Sequence, residues 1–113
     1  MQTVVETRAF ISAADDAGLT EDERDEIKIA IAINPAMGDM MVGTGGARKF
    51  RWAGRGKGKS GGYRIISYFG GGDIPVFLLT VFSKGEKANL NAADKQALRT
   101  VTADLARYGR ATR

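Results

Sequence analysis

The chain has 113 residues, a net charge of +4, and neither cysteine nor histidine. That length bounds it to one domain, residues 1–113, with a modest core, and the missing residue types exclude disulfides, thiolate zinc sites and a cysteine nucleophile. No cofactor and no metal are expected, since a metal would need carboxylates alone and these are mostly grouped on one predicted helix; without a run of about 20 apolar residues or a signal-peptide pattern, no membrane contact and a cytoplasmic location are expected.

Residues 2–6 (QTVVE) suit a short opening strand. Residues 8–17 then read as a helix with Phe10, Ile11 and Ala14 on its apolar face and Gly18 as its C-cap. Thr20 and Glu23 form a capping-box pattern for a second helix, whose buried stripe is Ile27, Ala30, Ile31 and Ile33. Asn34-Pro35 ends it, because the residue before proline disfavours the α region. The acidic run from Glu21 to Glu26 is a solvated helix start that favours the positive end of the helix dipole.

Residues 36–46 (AMGDMMVGTGG) read as an irregular segment, with Met37, Met40, Met41 and Val42 filling gaps in the core. A strand follows over 48–53, placing Phe50 and Trp52 on one face and Lys49 and Arg51 on the other. The glycine-rich loop GRGKGKSGG leads to a second strand over 63–69, and residues 70–73 make a tight connection. Pro75 opens a third strand, VFLLTVFS, apolar enough for the sheet interior. Asn91, with Asp94 three residues on, starts a last helix carrying Leu98, Val101, Leu105 and Tyr108, with Gly109 as its end. The expected fold is α+β: two N-terminal helices and one C-terminal helix on one face of a small, mainly antiparallel twisted sheet.

The charge is divided along the chain. Residues 1–47 hold nine acids and three bases, a net of −6, whereas residues 48–113 hold four acids and fourteen bases, a net of +10. No acid stands between Asp39 and Asp73, a stretch that contains Arg48, Lys49, Arg51, Arg55, Lys57, Lys59 and Arg64. Such a block is a footprint for phosphate. The GKS within GRGKGKSGG is not a nucleotide-binding P-loop, because only three residues separate Gly54 from Gly58 and a strand follows instead of a helix. Arg55, Lys57 and Lys59 instead suit phosphate positioning from a glycine-rich loop.

Lys49 and Arg51 share one strand face, and Arg64 on the next strand can meet them across the sheet. Three cations on rigid strands can surround one phosphate and stabilise the added charge of a pentacovalent transition state without a metal. A lysine crowded by like charges loses its proton more readily and can act as the base towards a ribose 2′-hydroxyl, giving a 2′,3′-cyclic phosphate and a 5′-hydroxyl. The pattern equally admits exposed strand charges that prevent edge-to-edge aggregation.

Residues 34–69 closely resemble the HigB branch of the RelE/ParE toxin superfamily. The resemblance is carried by Asn34-Pro35, Gly38-Asp39, GTGG before Arg48-Lys49, the GKGK loop and GG-x-R at 61–64, and it continues through FLLTVFSKGEKANL at 77–90. It implies the toxin of a type II toxin–antitoxin system, a RelE-like fold, and a ribosome-dependent endoribonuclease that cleaves mRNA in the ribosomal A site beside ribosomal RNA. The implied partner is a cognate antitoxin of helix-turn-helix type. By position, Lys49, Arg51, Arg64, Lys59 and Lys84 match catalytic positions, and Arg48, Arg55, Lys57 and Lys87 match RNA- or ribosome-binding ones. Two departures stand out. Leu90-Asn91-Ala92 occupies the region where several relatives carry a tyrosine or histidine acid/base, and Gly85 stands where some have arginine. A lysine base becomes the stronger option, with Glu86 the other, although Glu86 also suits pairing with Lys84 or Lys87. The same architecture serves ParE-like inhibitors of DNA gyrase, and a non-catalytic RNA-binding domain is a third reading.

Overall fold

Two threonines start the N-terminal helices by the same device. Thr7 Oγ1 accepts the Phe10 amide at 3.1 Å at the head of α1 (Arg8–Ala17). Thr20 Oγ1 accepts the Glu23 amide at 3.1 Å at the head of α2 (Glu21–Ile33), and Glu23 Oε1 accepts the Thr20 amide in return, also at 3.1 Å. The expected capping box is therefore complete. Gly18 takes a left-handed φ of 85° and its N–H closes the end of α1, a backbone state that disfavours any residue with a Cβ. Helix α2 stops at Asn34, before Pro35.

The computed structural model describes residues 1–54, 62–83 and 90–111. Its strands are β1 (Val4–Glu6), β2 (Asp39–Met40), β3 (Arg48–Trp52), β4 (Tyr63–Tyr68) and β5 (Val76–Ser83), followed by α3 (Ala92–Ala111). They form one sheet in the order β1-β5-β4-β3-β2, with β1 parallel to β5 and every other pairing antiparallel. The expected α+β class and mainly antiparallel sheet are present. Strand β2 arises within the segment expected to be irregular, where Asp39 and Met40 pair with Lys49 and Arg48.

Neighbouring residues on a strand point to opposite faces, and Ile65 and Ile66 show that both faces of this sheet are packed. Ile65 joins Phe10, Ile27, Ile31 and Phe50 under α1 and α2. Ile66 joins Phe77, Leu79 and Leu98, so α3 lies on the other face. The three helices were expected on one side; the structure divides them because VFLLTVFS carries apolar residues towards both. The α3 head uses Asn91 as expected: Asn91 Oδ1 accepts the Asp94 amide at 2.8 Å and Asp94 Oδ2 accepts the Asn91 amide at 3.0 Å. The helix continues through Gly109 to Ala111, since an internal glycine lowers helix propensity by about 1 kcal/mol without ending a helix.

Four residues expected in the core lie outside it. Ile11, Ile33, Met40 and Val42 are all exposed, Val42 at 89 %. Periodicity selects a stripe, but the width of the covered part depends on the partner. Met37 and Met41 do pack against the two clusters.

A β-bulge between Ile66 and Ser67 leaves Leu79 without a cross-strand partner, since Ile66 pairs with Thr80 and Ser67 with Leu78. The Ser67 hydroxyl is fully buried there and has no hydrogen-bond partner among the described residues. An unpaired buried hydroxyl is destabilising, so Ser67→Ala is expected to leave stability unchanged or raise it by up to about 1 kcal/mol. Urea unfolding of both proteins measures this; a loss above that magnitude would reveal a bond made by the hydroxyl.

Glu6 ties β1 to α2, receiving Arg24 Nη1 at 3.0 Å and Lys28 Nζ at 3.1 Å, while Lys28 also meets Asp25 at 3.1 Å. The hydrogen bonds to Asp25 and then Glu6 hold the Lys28 pKa above its ordinary value. A raised lysine pKa contributes stability below the unfolded-state value of about 10.4, and that contribution is lost as pH rises through the folded-state value. Lys28→Met should therefore be less stable than the parent at pH 7, by well under about 1 kcal/mol because the ammonium is partly exposed and screened. The gap should narrow as pH rises through the alkaline range in which Lys28 loses its proton, in urea unfolding compared at pH 7 and at alkaline pH.

Candidate phosphate-binding face

The antiparallel register of β3 and β4 sets the candidate site. Arg51 lies directly opposite Arg64, and Lys49, two residues back on β3, lies opposite Ile66. Alternation puts all three cations on one face, the face that α3 partly covers through Leu98 and Ile66. Their expected convergence is present in the backbone register. Arg51 is exposed, whereas Lys49 and Arg64 are half-buried. None of the three meets a carboxylate among the described residues, in contrast to Arg24 and Lys28 on the opposite side of the sheet.

Two arginines directly opposite each other disfavour this strand pairing, by an amount on the order of 0.2–1 kcal/mol. A like-charge pair with no ion-pair partner among the described residues is the kind of local penalty that a site kept for an anionic ligand would carry. An oxyanion that accepts from both guanidinium groups would remove the repulsion and satisfy their donors in charge-assisted hydrogen bonds.

Arg48 belongs elsewhere. It shares the Phe50 face of β3, and its Nη1 donates to the Gly38 carbonyl at 3.3 Å. The sheet does not bring it together with Lys49, Arg51 and Arg64. Lys59 and Lys84, with Arg55, Lys57, Lys87 and Glu86, lie outside the described residues.

A buried hydrogen-bonded turn positions this face. Thr44, fully buried in the turn between β2 and β3, donates its hydroxyl to the Met41 carbonyl at 2.7 Å and accepts the Ala47 amide at 3.1 Å. Thr102 on α3 donates to the Thr44 carbonyl at 2.8 Å. The turn that feeds Arg48-Lys49 is thus bonded to the helix lying over the sheet. The only sequence signal for it was a threonine framed by glycines in GTGG, which has many explanations.

Beside the cations, on the same face, a groove of about 700 Å³ runs between the start of α1, β5 and the first half of α3. Thr7, Leu79, Phe82, Leu98 and Val101 line much of it, with Arg8 and Asp94 its charged members. A lining with one cation and one carboxylate among apolar walls does not suit a phosphate. The cationic strands therefore remain the better anion site.

Among the described residues, no group of three or more carboxylates stands close enough to share a metal ion. Among the described residues, no helix is long and apolar enough to cross a membrane. The family model described as RelE toxin of RelE / RelB toxin-antitoxin system matches residues 3–112, nearly the whole chain. That match agrees with the single α+β domain and its mostly antiparallel five-stranded sheet: the chain belongs to the RelE toxin family of toxin–antitoxin systems.

Proposed function

We propose that this toxin is a ribosome-dependent endoribonuclease that cleaves mRNA in the ribosomal A site, as expected of a HigB-like member of its family. The observation that carries the reading is the Arg51–Arg64 cross-strand pair with Lys49 on the same face, none of the three making an ion pair among the described residues although Asp39 is the cross-strand neighbour of Lys49. These cations would hold the scissile phosphodiester. The ribose 2′-oxygen attacks phosphorus as its proton is removed, the bond to the 5′-oxygen breaks, and a proton is delivered to that leaving oxygen. The products are a 2′,3′-cyclic phosphate and a 5′-hydroxyl. The two guanidinium groups stabilise the charge that grows on the phosphoryl oxygens, an effect worth about 10²–10³ in rate per well-placed donor. Lys49 is the amine that β3 sets beside them, with Lys59 and Lys84 as further catalytic candidates by family position. Arg55, Lys57 and Lys87 are proposed to contact RNA or the ribosome.

The partners follow from this reading: mRNA, ribosomal RNA, and a cognate antitoxin that we take to be a helix-turn-helix protein. The test is to add purified protein to translating ribosomes and map new mRNA ends. Cleavage leaving 5′-hydroxyl ends is expected, with little cutting of naked RNA. Intact mRNA combined with arrested gyrase supercoiling would instead assign the non-catalytic gyrase-inhibitor role.

A further inference from the structure

The cations on α3 are not used by the reading above, and they differ from one another. Arg107 is paired with Asp104 one turn away. Lys95 and Arg99 have no carboxylate partner among the described residues. They are also four residues apart on the helix, a spacing at which like charges disfavour it by a few tenths of a kcal/mol. As with Arg51 and Arg64, two cations are held together with no ion-pair partner among the described residues.

Their position relates them to the strand cations. Leu98 packs with Ile66, and Ile66 is the cross-strand partner of Lys49. Around Leu98, α3 presents different residues to its two flanks. Asp94, Ala97 and Val101 line the apolar groove beside β5 and α1. Lys95 and Arg99 lie on the flank towards the turn that enters β3: a Cβ placed on Gly43 would sit 3.8 Å from Arg99 Nη2 and 4.0 Å from Lys95 Cδ. The Thr102–Thr44 hydrogen bond holds that flank against the turn. Arg99 is exposed and Lys95 half-buried, so both can reach a ligand on the sheet face.

We infer that Lys95 and Arg99 form a second phosphate-contacting stretch, which binds backbone phosphates flanking the one held by Arg51 and Arg64 on a single-stranded RNA. The inference rests on the assignment of the strand cations to phosphate binding. Four residues of helix separate the two side chains by about 6 Å along the axis, comparable to the step between successive phosphates of a single strand. Phosphate contacts of this kind add affinity and register without reading bases.

The experiment compares wild type, Lys95→Ala/Arg99→Ala and Arg64→Ala, using a dinucleotide and a ten-nucleotide RNA, both 2′-O-methylated so that neither is cleaved. Fluorescence anisotropy gives affinity as a function of salt. Alanine is a strong helix former, and thermal unfolding verifies that the double variant is folded. Loss of two phosphate contacts should lower the slope of log K against log salt for the ten-mer by about 1.4. It should also shrink the gain in affinity from dinucleotide to ten-mer by roughly tenfold at low salt. An unchanged slope and an unchanged gain would overturn the inference. If the double variant lowers the slope and Arg64→Ala does not, the α3 contacts stand and the strand assignment fails. If wild type binds neither RNA, both fail.

Discussion

Arg64→Ala is expected to reduce mRNA cleavage on the ribosome by about 10²–10³-fold and to abolish growth arrest in cells. The arginine faces Arg51 across two hydrogen-bonded strands, so its charge is positioned by the backbone of β3 and β4 instead of by a mobile loop. Removing it takes away half of the guanidinium pair proposed to stabilise the phosphoryl oxygens in the transition state. The fold should not suffer. Arg64 makes no ion pair among the described residues, and its loss relieves a like-charge pair opposed by on the order of 0.2–1 kcal/mol. Single-turnover cleavage and thermal unfolding, measured on the same preparation, separate the two effects. A variant that cuts at the parental rate would remove Arg64 from the site. A variant that fails to fold would assign the arginine a structural role. Binding of the antitoxin should persist, and co-purification tests it.

Phe10→Ala is expected to destabilise the protein by about 3–5 kcal/mol, a large share of a total stability of order 5–15 kcal/mol. Phe10 is fully buried among Ile27, Ile31, Ile65 and Val81, where one ring joins α1, α2 and the sheet. Truncation loses the transfer energy of the ring and leaves a cavity that three rigid elements cannot close. Ile33→Ala supplies the contrast. Ile33 belongs to the apolar pattern of the same helical region and is 67 % exposed, so its loss should change stability by less than about 0.5 kcal/mol. Chemical denaturation of both variants gives the comparison directly, and equal losses would mean that the packing of α1 and α2 on the sheet differs from that described.

The contrast between Phe10 and Ile33 also shows how far the sequence could be read. Both are apolar residues at plausible helical spacing, and only the position of the sheet beneath them separates a core anchor from a surface side chain. The same holds for Lys49 and Arg48, adjacent cations in one strand. Period-two alternation predicted that they face opposite ways, but their different surroundings came from the partner strands. Arg48 reaches the Gly38 carbonyl because the segment before β2 lies beside it, while Lys49 looks onto the face shared with Arg51 and Arg64.

The sequence by itself determined what depends on a few neighbouring residues. The Thr20/Glu23 capping box, the stop at Asn34-Pro35, the Asn91/Asp94 start of α3 and the shared face of Lys49 and Arg51 all follow from short-range geometry. Tertiary structure alone decided the parallel pairing of β1 with β5, the division of α1 and α2 from α3 across the sheet, and the Thr44–Thr102 bond across 58 residues. These depend on which faces of β4 and β5 are covered, and burial is a property of the assembled chain, not of any one segment. The cationic face draws on both levels: alternation aligned Lys49 with Arg51, but the strand register set Arg64 opposite Arg51, and the packing of α3 turned Lys95 and Arg99 towards the same side.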